Sequence, residues 1–164
     1  MSSSLNGSAK GALLEMINHF VPEVLQTMAG LVAIPGAGQL DATQPTKVSG
    51  ISGSIGLSGK VHGVVYTAFS ENLAKIVAES ILGATASDQD VADVVAELTN
   101  MITGNLKSRL CDLGYNCSLT IPSVVRGDEI TISAKSASIS VRNSFAIQSV
   151  SDPLVLHVFA ILEN

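Results

Sequence analysis

The chain has 164 residues, a length that fits one domain, with 46% hydrophobic residues and a formal net charge of −5. Aromatic residues make up 4% and Trp is absent, so the core must be aliphatic and the chain is poorly equipped to stack on bases or sugars. Its nine Lys and Arg are scattered, which argues against a nucleic-acid surface.

In chain order, residues 1–10 read as a frayed N-terminus, and 11–164 as a single domain. No signal peptide is expected, because Met1-Ser2-Ser3-Ser4-Leu5 is polar and Glu15 interrupts the first apolar stretch. From Gly11 to Leu31 the apolar positions Leu13, Leu14, Ile17, Phe20, Val21, Val24, Leu25, Met28 and Leu31 follow a helical period. Pro22 falls inside, and would either kink the helix or mark a second start. Ala33 to Lys47, with Pro35, Gly36, Gly38 and Pro45, reads as a loop.

Val48 to Phe69 alternates as a β-hairpin, with Gly59-Lys60 near its turn. Ser70 is placed to cap a helix over Glu71 to Leu82, and Gly83 to stop it. Asp88 or Asp90 is expected to cap a long helix running to about Leu113. Cys117 to Ile121 reads as a short strand. Glu129 to Ala134, Ala137 to Val150 and Leu154 to Leu162 read as three more, with Arg126-Gly127-Asp128 and Asp152-Pro153 as turns. The run Leu154 to Leu162 is far shorter than the roughly 20 residues needed to span a bilayer, so a soluble cytoplasmic protein is expected. The order predicts an α+β fold, a largely antiparallel β-sheet packed by helices, built from two half-domains.

The long helix carries an unusual polar stripe. Asp93, Glu97, Asn100, Gly104 and Lys107 are spaced four, three, four and three apart, which stacks them on one face. The apolar residues Val94, Val95, Leu98, Met101, Ile102, Leu106 and Leu110 take the other side. A mid-helix glycine costs roughly 1 kcal/mol against alanine, so Gly104 suggests that something approaches the backbone there.

Other motifs read more plainly. Gly50, Gly53, Gly56 and Gly59 recur every third residue, neither GxGxxG nor a P-loop, and suggest a bulged hairpin backbone. His19, His62 and His157 are far apart and read as core or surface histidines. Ser52, Ser54 and Ser58 lack a nucleophile elbow. Cys111 and Cys117 form no CxxC and read as two reduced thiols, and no metal site is expected.

The stripe, taken together with the segment downstream of the helix, resembles the CheC/CheX/FliY family of chemotaxis phosphatases, in particular its CheX-like members. The family signature is an acidic or Ser residue, three residues, Glu, two residues, Asn, and a downstream Pro. Here it reads Asp93-x3-Glu97-x2-Asn100, then Pro122 in Thr120-Ile121-Pro122-Ser123. Gln26-Thr27-Met28, Ile51-Ser52-Gly53-Ser54-Ile55-Gly56, Tyr66-Thr67-Ala68-Phe69-Ser70 and Ile81-Leu82-Gly83 also look like CheX segments, so the resemblance spans about residues 15 to 162.

The resemblance implies a CheC/CheX-like fold with pseudo-two-fold halves and an enzyme that hydrolyses the aspartyl phosphate of a CheY-like receiver domain. Glu97 would be the docking carboxylate, paired with the receiver's active-site lysine, and Asn100 would orient the attacking water. Asp93 would cap or support Glu97, Gly104 would let the partner backbone come close, Pro122 completes the signature, and Lys107 would form a surface ion pair. No cofactor is implied for this chain, since the Mg²⁺ would belong to the receiver. A homodimer is implied as well. CheX-like members have one working ExxN and CheC-like members two. Glu15-Met16-Ile17-Asn18 lies in the half where a second site would be, but Leu40 stands at the position matching the Pro. Glu15 and Asn18 are therefore either a degenerate second site or simply solvated helix residues. A second function class stays open: a non-catalytic CheX-like adaptor that binds a receiver or another signalling domain. Intact Glu97 with intact Asn100 favours the enzyme, because an adaptor could lose the asparagine freely.

Overall fold

The computed structural model describes residues 2–163, with side chains from residue 7 onward. The first helix, α1 (Ser2–Ala29), buries Leu13, Met16, Ile17, Val21, Val24 and Leu25 at helical spacing. It begins well before Gly11, so residues 2–10, expected to fray, are helical, while Met1, also expected to fray, lies outside the described residues. It also continues through Pro22, which marks no second start. Ile17, Val21, Val24 and Leu25, on both sides of the proline, are all buried in the core. That packing offsets the hydrogen bond the proline removes.

The stretch expected to be a loop contains a short strand, β1 (Ala33–Pro35), and two isolated bridges, Gln39 to Arg142 and Asp41 to Ser140. The predicted hairpin is present as β2 (Thr46–Gly59) and β3 (Val61–Ser70), with Gly53 opposite Thr67. Helix α2 (Glu71–Leu82) has the expected caps: Ser70 Oγ accepts from the Leu73 N–H at 3.0 Å, and Gly83 sits at φ 68°. Helix α3 (Asp88–Asp112) is capped by Ser87 rather than by Asp88 or Asp90. Asp90 is the other half of a capping box, its Oδ2 accepting from the Ser87 N–H at 2.9 Å.

Three more differences concern strand limits. β4 (Cys117–Leu119) stops short of Ile121. β5 (Ser123–Ile132) starts earlier than expected and contains Arg126-Gly127-Asp128, which is strand and not turn. Arg126 pairs with Ile51 and Gly127 with Gly50, and a bulge between Val48 and Gly50 absorbs the register shift. β6 (Ile139–Ile147) is shorter than the alternation from Ala137 to Val150 suggested, whereas β7 (Leu154–Leu162) has the expected limits.

The seven strands form one sheet in which every pairing between these strands is antiparallel, in the order β1-β6-β7-β3-β2-β4, with β5 also pairing β2. The order reads as two matched halves. Hairpins β2–β3 and β6–β7 meet at the centre, and each is flanked by a strand from the other half of the chain. α1 packs on β6 and α3 on β2, and the two helices pack on each other. The aliphatic core lies between this helix layer and one face of the sheet. A smaller cluster of Val48, Ala68, Ile132 and Phe159 covers part of the other face.

Candidate functional site

The stripe is displayed by α3, whose start is fixed three ways. The Ser87–Asp90 capping box satisfies its first N–H groups, and Asp88 and Asp90 place negative charge at the positive end of the helix dipole. Arg126 on β5 completes the anchor. Its Nε donates to Glu71 Oε1 at 2.7 Å, and its Nη2 donates to the Asp88 carbonyl at 3.3 Å. The buried side of the helix holds Val91, Val94, Val95, Leu98, Ile102, Leu106 and Leu110.

Two residues on this buried side are polar, Thr99 and Thr103, both 0% exposed. Thr103 Oγ1 donates to the Thr99 carbonyl at 2.7 Å, and Thr99 Oγ1 donates to the Val95 carbonyl at 2.7 Å. With its one proton so used, Thr99 Oγ1 accepts from Thr67 Oγ1 at 2.8 Å, and Thr67 in turn accepts from the Gly53 N–H at 3.3 Å. The result is a one-directional chain from the β2 backbone through β3 to α3. Gly53 is what lets the helix come so near. A Cβ there would stand 2.2 Å from Thr99 Oγ1 and 3.0 Å from Thr67 Oγ1. Sequence reasoning missed Thr67 and Thr99. The available signals were a threonine pair at i and i+4 on an otherwise apolar face, and a glycine inside a strand.

On the opposite side, Asp93, Glu97 and Asn100 are all exposed, one helical turn apart. Among the described residues, Glu97 and Asn100 form no side-chain hydrogen bond or ion pair. The Asp93 Oδ1 accepts from Gln89 Nε2 at 2.8 Å, one turn back. At Gly104 a Cβ would meet nothing within 4 Å, so the surface beside Asn100 is open. Lys107, expected in a surface ion pair, belongs to none of those formed among the described residues. Pro122 is half-buried in a loop pinned to β2 by reciprocal bonds. The Thr120 N–H donates to the Gly56 carbonyl at 3.0 Å, and the Gly56 N–H donates to Thr120 Oγ1 at 2.8 Å. Directly after it, Ser123 and Val124 pair with Ser54 and Gly53, beneath α3.

Glu15 and Asn18 occupy the matching places on α1 but are arranged differently. Glu15 is exposed, on the rim of a groove of about 530 Å³ between α1 and the end of α3, with His19, Phe20 and Arg109. Asn18 is half-buried, and its Oδ1 accepts from Asn143 Nδ2 at 2.7 Å. Asn143 lies on β6, is 3% exposed and also donates to the Gly36 carbonyl at 3.1 Å.

The histidines divide as core and surface. His19 and His62 are exposed beside Glu23 and Glu163. His157 is 1% exposed on the far face of the sheet, stacked on Phe159. Ser140 Oγ donates to the Ala42 carbonyl, so it accepts from His157 Nε2 at 2.8 Å. Nδ1 then accepts from Thr46 Oγ1 at 2.8 Å. Burial, and secondarily the charge of Arg142, lower the His157 pKa to about 4. Both cysteines are free thiols, and burial raises the pKa of Cys117. Among the described residues, no group of three His, Cys, Asp or Glu side chains is arranged to hold a metal ion, and no helix is long and apolar enough to cross a membrane.

Comparison with known proteins gives consistent matches. The family model described as chemotaxis phosphatase CheX matches residues 51–146. That stretch contains Asp93, Glu97, Asn100, Gly104 and Pro122, and leaves out Glu15 and Asn18. The CheY-P phosphatase CheX of Thermotoga maritima is 25% identical over 122 residues, which is 71% of this chain and 79% of that protein. A CheC-like superfamily protein from Shewanella sp. PV-4 shares 30% identity with a TM-score of 0.80, covering 90% of this chain and 96% of that one. A chain of the CheX–CheY–BeF₃–Mg²⁺ complex from Borrelia burgdorferi has the same fold, at 22% identity and a TM-score of 0.77, covering 90% of this chain and 96% of that one.

Proposed function

The chain belongs to the chemotaxis phosphatase CheX family, and from that premise we propose that it hydrolyses the aspartyl phosphate of a CheY-like receiver domain, using Glu97 and Asn100 on α3. The observation that carries this reading is the state of those two side chains. Both project from one exposed face and are uncommitted to any described residue, while the neighbouring buried positions of the same turn are tied down.

The chemistry suits these residue types. An acyl phosphate has a good leaving group, so neither a strong base nor a covalent nucleophile is needed. A water in line with the P–O bond to the aspartate is enough. Its oxygen attacks phosphorus, the P–O bond to the aspartyl oxygen breaks, and the receiver's carboxylate and inorganic phosphate are released. The Asn100 amide both accepts from and donates to such a water, which fixes its direction. The Glu97 carboxylate, about 4.5 Å along the helix axis from Asn100, takes the receiver's active-site lysine. Mg²⁺ belongs to the receiver's side of the complex, in keeping with the CheY-containing Borrelia burgdorferi assembly. Asp93 is left peripheral, Gly104 admits the partner's backbone, and Pro122 holds the loop beside the docking helix.

A single active site per chain fits this arrangement, because the Asn18 amide is already engaged by Asn143. Asn100→Ala is expected to abolish turnover while largely sparing binding. Substitution of Glu97 should instead weaken binding, by about 2–5 kcal/mol if its ion pair is buried in the complex. Phosphate release and calorimetric titration on the same receiver separate the two effects; equal loss of binding in both variants would contradict these roles. A homodimer and a cytoplasmic location belong to the same proposal. β5, with one described partner strand, offers a ten-residue edge for a second copy. Sedimentation velocity checks the dimer, and a single monomeric species at micromolar concentration would count against it.

A further inference from the structure

We propose that the Gly53–Thr67–Thr99 hydrogen-bond chain is a positioning device, which sets the roll of α3 about its own axis and thereby aims the Asn100 amide. The proposal rests on the reading of Asn100 given above. Aliphatic packing alone holds a helix against a sheet without fixing its rotation tightly, because contacts among Val, Leu and Ile are non-directional. A side-chain tip lies roughly 5–6 Å from a helix axis, so a roll of about 10° moves it by about 1 Å. A misplacement of that size costs on the order of a hundredfold in a reaction that depends on placing one water.

A directional contact that resists this roll is found under the site. Thr99 directly precedes Asn100, and its hydroxyl is held both by Thr67 at 2.8 Å and by the carbonyl of Val95. Both threonines are 0% exposed. Valine would fill the same space, so packing does not explain the hydroxyls. Gly53 brings the strand backbone within reach, with no room for a Cβ. The other half of the molecule supplies the contrast. The residue preceding Asn18 in α1 is Ile17, also 0% exposed. There the hydroxyl is absent, and the asparagine amide turns inward to Asn143.

The test uses the full chain, with a phosphorylated CheY-like receiver at varied concentration, and compares Thr99→Val, Thr99→Ser and Thr67→Val/Thr99→Val with wild type. Thr99→Val leaves Thr67 Oγ1 free to donate to the Gly53 carbonyl 3.5 Å away and should keep a Tm near that of wild type, whereas the double variant also takes the side-chain acceptor from the Gly53 N–H and should melt a few degrees lower. The expected result is a kcat about tenfold lower or more in both valine variants, KM within about twofold, and recovery in Thr99→Ser. A valine variant with wild-type kcat, or a loss of activity that only tracks the fraction folded and is not rescued by serine, would overturn the proposal. A second readout needs no activity: ¹⁵N relaxation of the Asn100 side-chain amide in the free protein. It should report a more mobile amide in Thr99→Val and a wild-type one in Thr99→Ser. If wild type fails to dephosphorylate receivers, the functional reading falls, and the relaxation measurement alone decides the positioning, with unchanged mobility overturning it.

Discussion

Asn18 and Asn100 hold matching places in two matched helices, yet one amide is bonded within the fold and the other is exposed and bonded to no described residue. The difference lies in what each helix packs on. Asn143, buried on β6, draws Asn18 inward, whereas Asn100 sits above a threonine that satisfies the inward direction on its own. Asn18→Ala should therefore leave turnover unchanged and lower stability by about 1–3 kcal/mol, because Asn143 loses a buried partner. Urea unfolding and phosphate release measure both. The spacing that marks Glu97 and Asn100 as a pair is visible in the sequence. The destination of Asn18 is not, since Asn143 lies 125 residues away and is brought near only by the sheet. His157 makes another prediction at this scale. Its folded pKa of about 4 lies below the ordinary 6.5, so on acidification the unfolded chain takes up the proton first. Stability should be full above pH 6.5, fall as pH drops from 6.5 to about 4, and level off below. The loss is on the order of 3 kcal/mol. His157→Gln should flatten a plot of Tm against pH through that window; an unchanged slope would mean that another group governs it.

Among the elements, α3 shows how a helix can trade stability for contact. Gly104 is helical and faces open space, so Gly104→Ala should stabilise the protein by about 0.5–1 kcal/mol. The same methyl would stand on the proposed docking face, and on that proposal receiver binding should weaken. Paired thermal melts and binding titrations check this, and a variant that is both more stable and binds as tightly would show that no partner backbone approaches there. The elements that were legible are those with short-range signals. The β2–β3 hairpin, the Ser70 and Gly83 caps and the apolar β7 all announce themselves within a few residues. The first six residues of β5, Ser123 to Asp128, did not, because most of them are exposed at an edge, and Arg-Gly-Asp carries turn chemistry that strand pairing overrides. β1 is only three residues long and exists through its pairing with β6. Ser87 was passed over because two aspartates beside it are also good caps, and only the capping-box geometry decides among them.

Across the whole molecule, the two halves place α1 over β6 and α3 over β2, and the proposed docking face belongs to α3. The expected order of helices and strands, and the antiparallel sheet, match the fold. So do the two halves, although the sequence carries too little internal identity to prove a repeat. What the sequence could not convey is the polar chain beneath the stripe, since threonines on an apolar helix face look like breaks in a pattern until the strand that meets them is known. Family membership and site geometry converge on one claim, that α3 delivers Asn100 to a phosphorylated receiver. The measurement that tests it most directly is the decay of phosphoryl label on a CheY-like receiver in the presence of wild type and of Asn100→Ala. Accelerated decay with wild type and none with the variant is the predicted result. Equal acceleration by both, or none by wild type while it still binds phosphorylated receivers, would contradict it.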